Sequence, residues 1–248
     1  MLVKNMKITN YKKKKINLYE VTLSNNEKLL LYDDVILKYE LLLKKEINEK
    51  ELDEIIEFNS YLESYNKALK FIITKLRTEK EIRTKLNVFS KDAINYTITR
   101  LKKEGYLNSE LYIKSYINDE VNLKLIGPSK ILFNLKKLGF KDEEVLNYLN
   151  EFDNDVWLNK IHKYILKKVN SNHNLSGIVL KQKIVQDLIN KGFYKEDINI
   201  IINEFEFNDN TELKEKEYNK LKTKLSKKYS GEELEYRIKI GLIKKGYK

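Results

Sequence analysis

One phrase, returning three times at nearly constant spacing, constrains this chain more than any other feature. Lys130-Ile131, Leu135 and Gly139-Phe140 make the first copy; Lys183-Ile184, Leu188 and Gly192-Phe193 the second; Arg237-Ile238, Leu242 and Gly246-Tyr247 the third. All three fit Lys/Arg-Ile-x-x-x-Leu-x-x-x-Gly-aromatic. Their glycines stand 53 and then 54 residues apart, a period proper to repeat architectures. An Ile and a Leu four apart share one helix face, and glycine readily adopts the left-handed backbone that ends a helix. Each copy therefore reads as an amphipathic helix, a glycine stop, and an aromatic that folds back onto the core.

Apolar positions downstream extend the pattern. Val145, Leu149 and Phe152 stand at +5, +9 and +12 after Phe140, and Ile198, Ile202 and Phe205 at the same offsets after Phe193, which marks a second amphipathic helix. Phe89 is followed in the same way by Ile94, Ile98 and Leu101, so an earlier copy exists, although its first helix, 78–86, lacks the glycine. Polar turns open a third helix in each unit, over 108–120, 153–169 and 210–228. Thr78 with Glu81 is a capping box, and Pro128, the single proline, suits a first helical turn.

The N-terminal region differs. "INLYEVTL" and "KLLLY" flank Ser24-Asn25-Asn26-Glu27, a hairpin signature, with residues 6–10 as a candidate third strand and a helix opening near Asp33. The expected fold is mainly α: tandem three-helix-bundle repeats, three units in an elongated, curved array, behind a small N-terminal β-hairpin region. The expected parts are a hairpin and short helix (1–48), a connecting helical segment (49–76) broken near Asn59-Ser60, repeats at 77–120, 121–172 and 173–229, and a C-terminal helix (230–248) acting as a partial repeat or cap.

Several function classes fall away. The chain has no cysteine and only His162 and His173, which removes disulfides, a cysteine nucleophile and a Cys/His zinc site. Apolar runs are far shorter than the ~18 residues of a membrane span. No apolar stretch follows the basic start, so no leader is expected and a cytoplasmic location is. GxxxxGK[ST], GxGxxG and GxSxG are absent; a non-enzyme without cofactor, catalytic residue or metal is expected.

The net charge of +11 points to an acidic partner, but it is spread. Residues 1–76, 77–119, 120–172, 173–229 and 230–248 carry +2, +3, +2, +2 and +2, so a basic patch would have to be made by folding. Lys130, Lys183 and Arg237 hold one place in three copies and are the candidate partner-binding stripe; the plainer reading makes them solvated residues at helix starts. Tyr106, Phe140, Phe193 and Tyr247 read as hydrophobic closures of turns rather than base-stacking platforms, and Trp157 as a packing residue. Asp33-Asp34, Asp142-Glu143-Glu144 and Glu196-Asp197 sit where acids favour helix starts.

Four phrases in order, "LYDDVILKYELL", "ALKFIITKLRTEKEIRTKL", "LKKEGYLNSELYIKSYI" and "GPSKILFNLKKLGF", resemble the RecX family of regulatory proteins. The resemblance covers nearly the whole chain. Asn108 and Ser109 depart from it, standing where the family commonly has acids, and the connection "NSNHNLSG" is polar and long. The resemblance implies a cytoplasmic, non-enzymatic modulator of homologous recombination and DNA repair. Such a protein binds RecA and lies in the groove of the RecA filament on single-stranded DNA. There it inhibits filament growth, ATPase and strand exchange. On the same grounds Arg77 joins the partner-binding candidates. The expected partners are RecA and the RecA–DNA filament, with weak DNA binding besides, no membrane association and a monomeric state. The alternative is a direct nucleic-acid-binding helical-repeat protein.

Overall fold

A computed structural model describes residues 5–247. Helices dominate it, behind a small antiparallel sheet, and the chain divides into two compact units, 1–112 and 113–248.

The first unit opens with four strands: β1 (Asn5–Lys15), β2 (Leu18–Leu23), β3 (Lys28–Tyr32) and β4 (Glu46–Asn48), in the order β3-β2-β1-β4. The expected hairpin is β2–β3, its turn carried by Asn26 at φ 65° with the Asn25 side chain accepting from the Glu27 N–H at 3.0 Å. The sheet is larger than that reading because β1 runs on through Lys12–Lys15. Those residues lack the apolar alternation of a half-buried strand and are held by pairing, Tyr11 with Val21 and Lys12 with Glu20. Short β4 then adds to the other side of β1 at Asn5–Lys7.

Val21, Leu23, Leu29 and Leu31 bury one sheet face against α1 (Asp33–Lys38) and α2 (Glu49–Ile72), which supply Val35, Ile36, Ile55 and Leu62. The break expected near Asn59-Ser60 is absent, and α2 is one helix of 24 residues. Asn59 does not compete for its own backbone because its amide reaches the sheet. It accepts from the Tyr32 N–H at 3.0 Å and donates to the Leu30 carbonyl at 2.9 Å, satisfying the edge of β3.

Next come α3 (Glu79–Lys85), α4 (Lys91–Lys103) and α5 (Ser109–Leu123). The Thr78–Glu81 capping box forms, and Asn108 caps α5 by accepting from the Leu111 N–H at 3.0 Å. Ala68, Ile72, Ile82, Leu86, Ile98, Leu101 and Leu107 make a second core with the end of α2.

The second unit continues with α6 (Pro128–Lys137), α7 (Asp142–Leu149), α8 (Asn154–Asn170), α9 (Gly177–Asn190), α10 (Lys195–Ile202), α11 (Thr211–Leu225) and α12 (Gly231–Lys244). The recurring phrase has one local structure. Gly139, Gly192 and Gly246 adopt φ of 100°, 87° and 81°. The aromatic N–H after each returns to the carbonyl of Leu135, Leu188 or Leu242, and each glycine N–H bonds one residue further on. This double bond is the Schellman motif, with Leu and aromatic in the two places that close it by hydrophobic contact. Phe193 and Tyr247 are each 3% exposed, while Phe140 is half-buried. Tyr106 departs from expectation at 46% exposed. Leu107 takes its place, buried, with its N–H on the Leu101 carbonyl.

Two Schellman ends also receive the start of another helix. The Gly127 and Ser129 N–H groups at the start of α6 donate to the Lys191 and Gly192 carbonyls at the end of α9, at 2.8 and 3.1 Å. Ser176 at the start of α9 donates its hydroxyl to the Lys245 carbonyl at the end of α12, at 2.9 Å. Donors and acceptors that each helix leaves unpaired satisfy one another, and the helix dipoles meet with opposite sign.

Two substitutions test this construction by chemical denaturation. A Cβ on Gly192 would lie 2.4 Å from Lys130 Cβ and 2.5 Å from its backbone nitrogen, whereas one on Gly105 would meet nothing within 4 Å. Gly105→Ala should cost only the left-handed strain, about 1–2 kcal/mol, and Gly192→Ala clearly more; equal losses would mean that the α6–α9 junction adds nothing. Asn59→Ala, which strips two backbone groups of their partner, should cost about 1–2 kcal/mol.

Candidate partner-binding surface

The four basic candidates divide by what they touch. Arg77, half-buried between α2 and α3, stacks its guanidinium 3.7 Å from the centroid of Phe71. Its Nη1 meets Glu81 Oε1 at 3.3 Å, Nε donates to the Phe71 carbonyl at 3.4 Å and Nη2 to Thr74 Oγ1 at 3.5 Å. These contacts latch the end of α2 to the start of α3. Arg237 is exposed, but its guanidinium lies 4.1 Å from the Tyr229 ring centroid and pairs with Glu233 at 3.0 Å.

The two lysines are less committed. Lys130, half-buried in the first turn of α6, rests its stem and backbone against Gly192, with its ammonium 5.3 Å from the Phe133 ring. Lys183 is exposed in the middle of α9 and faces the loop after α8. Neither forms an ion pair among the described residues. Lys183 and Arg237 are not at helix starts, as the plainer reading of the sequence had them. Helices α9 and α12 begin six residues before these positions, whereas Pro128 starts α6 only two residues before Lys130.

The remaining singled-out residues are structural. Acids fill the first turns of α1, α7 and α10, and Glu144 Oε2 accepts from the Lys141 N–H at 3.1 Å. Trp157 is buried with its ring 6.2 Å from that of Phe152. His162 packs 5.0 Å from the Phe205 ring. Among the described residues no group of three or more His, Asp or Glu could hold a metal, and no helix is long and apolar enough to cross a membrane.

Sequence reasoning passed over one polar cluster, Tyr65 on α2 with Arg100 on α4 and Glu104 at its C-terminal cap. Arg100 lies 4.0 Å from the Tyr65 ring centroid and bonds Glu104 at 2.8 Å, and the Tyr65 hydroxyl donates to the same carboxylate. Burial, then that hydrogen bond, pushes the Tyr65 hydroxyl up to about 12, while Arg100 and Tyr65 hold the Glu104 carboxyl below its usual range. The i,i+4 spacing of Arg100 and Glu104 was the available signal. Tyr65, 35 residues earlier, was not reachable from it.

The four basic candidates thus lie on helices or beside their ends, two of them tied to a ring and a carboxylate and two without an ion pair among the described residues. Regulatory protein RecX of Streptococcus pneumoniae serotype 19F (strain G54) is 33% identical over 98% of this chain and 95% of its own length. The RecX of strain 70585 is 34% identical over the same shares. Among solved structures, a crystal structure of regulatory protein RecX superposes with a TM-score of 0.68 at 22% identity, covering 80% of this chain and 99% of the other. RecX from Lactobacillus salivarius gives 0.53 at 29% identity, over 58% and 96%. No protein-family model matches the chain. Identity at this level along almost the full length, with the same fold in solved relatives, places the chain in the RecX family of regulatory proteins.

Proposed function

We propose that this chain binds the RecA recombinase and its filament on single-stranded DNA, and restrains filament growth, ATP hydrolysis and strand exchange. The observation that carries the reading is 33% identity with a RecX regulatory protein over 98% of the chain. The fold supports it physically. Regulation by binding needs a rigid surface rather than a reaction centre, and the glycine-closed, mutually capped helices of the second unit supply one. The role is non-catalytic, exerted in the cytoplasm by a monomer.

Within this reading Lys130 and Lys183, free of internal ion pairs, make direct contacts with the partner. Arg77 and Arg237 contribute through the exposed edges of guanidinium groups that already hold an aromatic ring and a carboxylate.

Titrating the chain into RecA that is hydrolysing ATP on single-stranded DNA, with RecA in excess, tests the proposal. Inhibition should set in well below one chain per RecA, as expected of a ligand that acts on a growing polymer. An unchanged rate at equimolar concentration would overturn it. So would a loss of rate that appears only as the chain saturates the DNA and that disappears with added salt.

A further inference from the structure

The longest acid-free run of the chain is residues 156–186, and it contains Lys160, Lys163, Lys167, Lys168, Lys181 and Lys183. The run spans most of α8, the loop after it and the first part of α9. None of its six lysines forms an ion pair among the described residues, although basic side chains pair with acids elsewhere on both units. Lys160 is drawn inward, donating to the Lys124 carbonyl at 2.7 Å, and burial, then the charge of Lys163, holds its ammonium below the usual lysine range.

The outward positions form a pattern. Asn159, Lys163, Lys167 and Asn170 are all exposed, at helical intervals that place them on one side of α8, with the lysines about 6 Å apart along its axis. At the end of this row lies a cleft of about 230 Å³ lined by Lys168, Lys183, Ser171, His173 and Asn174, among others. Its loop is held by Asn172, whose side chain accepts from the Asn174 and Leu175 N–H groups and donates to the Leu175 carbonyl at 2.7 Å. The one acid on the lining, Asp187, takes a hydrogen bond from the Tyr164 hydroxyl at 3.0 Å.

We infer that the outer side of α8 and the α8–α9 cleft form a binding surface for the phosphate backbone of single-stranded nucleic acid. Composition selects that partner over an acidic protein. Interfaces between proteins are enriched in arginine and aromatic residues and depleted of lysine. The exposed row is lysine with asparagine, and the cleft adds lysine, serine, asparagine and His173 around Leu175, Leu180 and Ile184; lysine, serine and asparagine are side chains that contact phosphate and sugar. No arginine occurs between Arg100 and Arg237, and Leu166 is the only large apolar residue of α8 that is strongly exposed. The inference does not depend on RecA, since it concerns the chain and nucleic acid alone.

The test is fluorescence anisotropy of a labelled oligothymidine with the full chain across a range of salt. It compares the quadruple variant Lys163→Ala/Lys167→Ala/Lys168→Ala/Lys183→Ala with the charge-matched control Lys50→Ala/Lys75→Ala/Lys91→Ala/Lys239→Ala. Each of the eight side chains lies outside the ion pairs, and circular dichroism verifies that both variants fold. The first variant should weaken binding tenfold or more. It should also lower the slope of log affinity against log salt by about 2–3, from about 0.7 per lost phosphate contact on a single strand. The control should change affinity less than twofold. Equal weakening by both variants would overturn the inference, because net charge alone would then explain binding, as would unmodified chain that does not bind the oligonucleotide.

Discussion

The left-handed glycine at the end of α9 is the constraint on which the second unit depends. Gly192 must turn the chain sharply enough for Phe193 to reach the core, and it must also be small enough for the start of α6 to sit on it. Either demand alone would favour glycine; together they make any side chain there costly. The same contact explains Gly127, whose own missing Cβ would fall 2.3 Å from the Gly192 carbonyl carbon. Two glycines from different copies thus let two helix ends meet backbone to backbone. The unpaired donors of one end and acceptors of the other, which would cost free energy if buried separately, are satisfied together.

That solution recurs with different chemistry at the next junction, where the Ser176 hydroxyl replaces a backbone donor on the Lys245 carbonyl. A further backbone group at the start of α9, the Gly177 N–H, is taken by Asp209 Oδ1 at 2.9 Å. In the first unit, α3 begins with its own capping box, so its N-terminal donors are satisfied locally. The repeats share an apolar pattern but not one recipe for closing their helix ends.

Much of this was legible in the sequence because it is local. Leu-x-x-x-Gly-aromatic is the Schellman motif written out, and Thr78-x-x-Glu81 is the capping box; both depend on residues within one turn. What was missed depends on distant partners. Asn59 reads as a break until the edge of β3 is beside it, 27 to 29 residues away. The candidate strand at residues 6–10 is only part of β1, which runs on to Lys15 because β2 pairs with it. Tyr106 looks like Phe193 in sequence, yet Leu107 closes that turn. The concentration of unpaired lysine was hidden differently: charge taken in windows meeting at residue 172 divides the 156–186 run and returns a modest +2 on each side.

Family membership and fold place the chain among the RecX regulatory proteins, and the function proposed for it turns on a preference of its contact surface for an assembled recombinase over the components. Binding of the labelled chain to RecA filaments preformed on single-stranded DNA, compared with binding to free RecA and to bare DNA at physiological salt, measures that preference directly. Tighter binding to the filament than to either component is the predicted result. Binding to bare DNA as tight as to the filament would contradict it and leave a helical-repeat nucleic-acid-binding protein with the RecX fold.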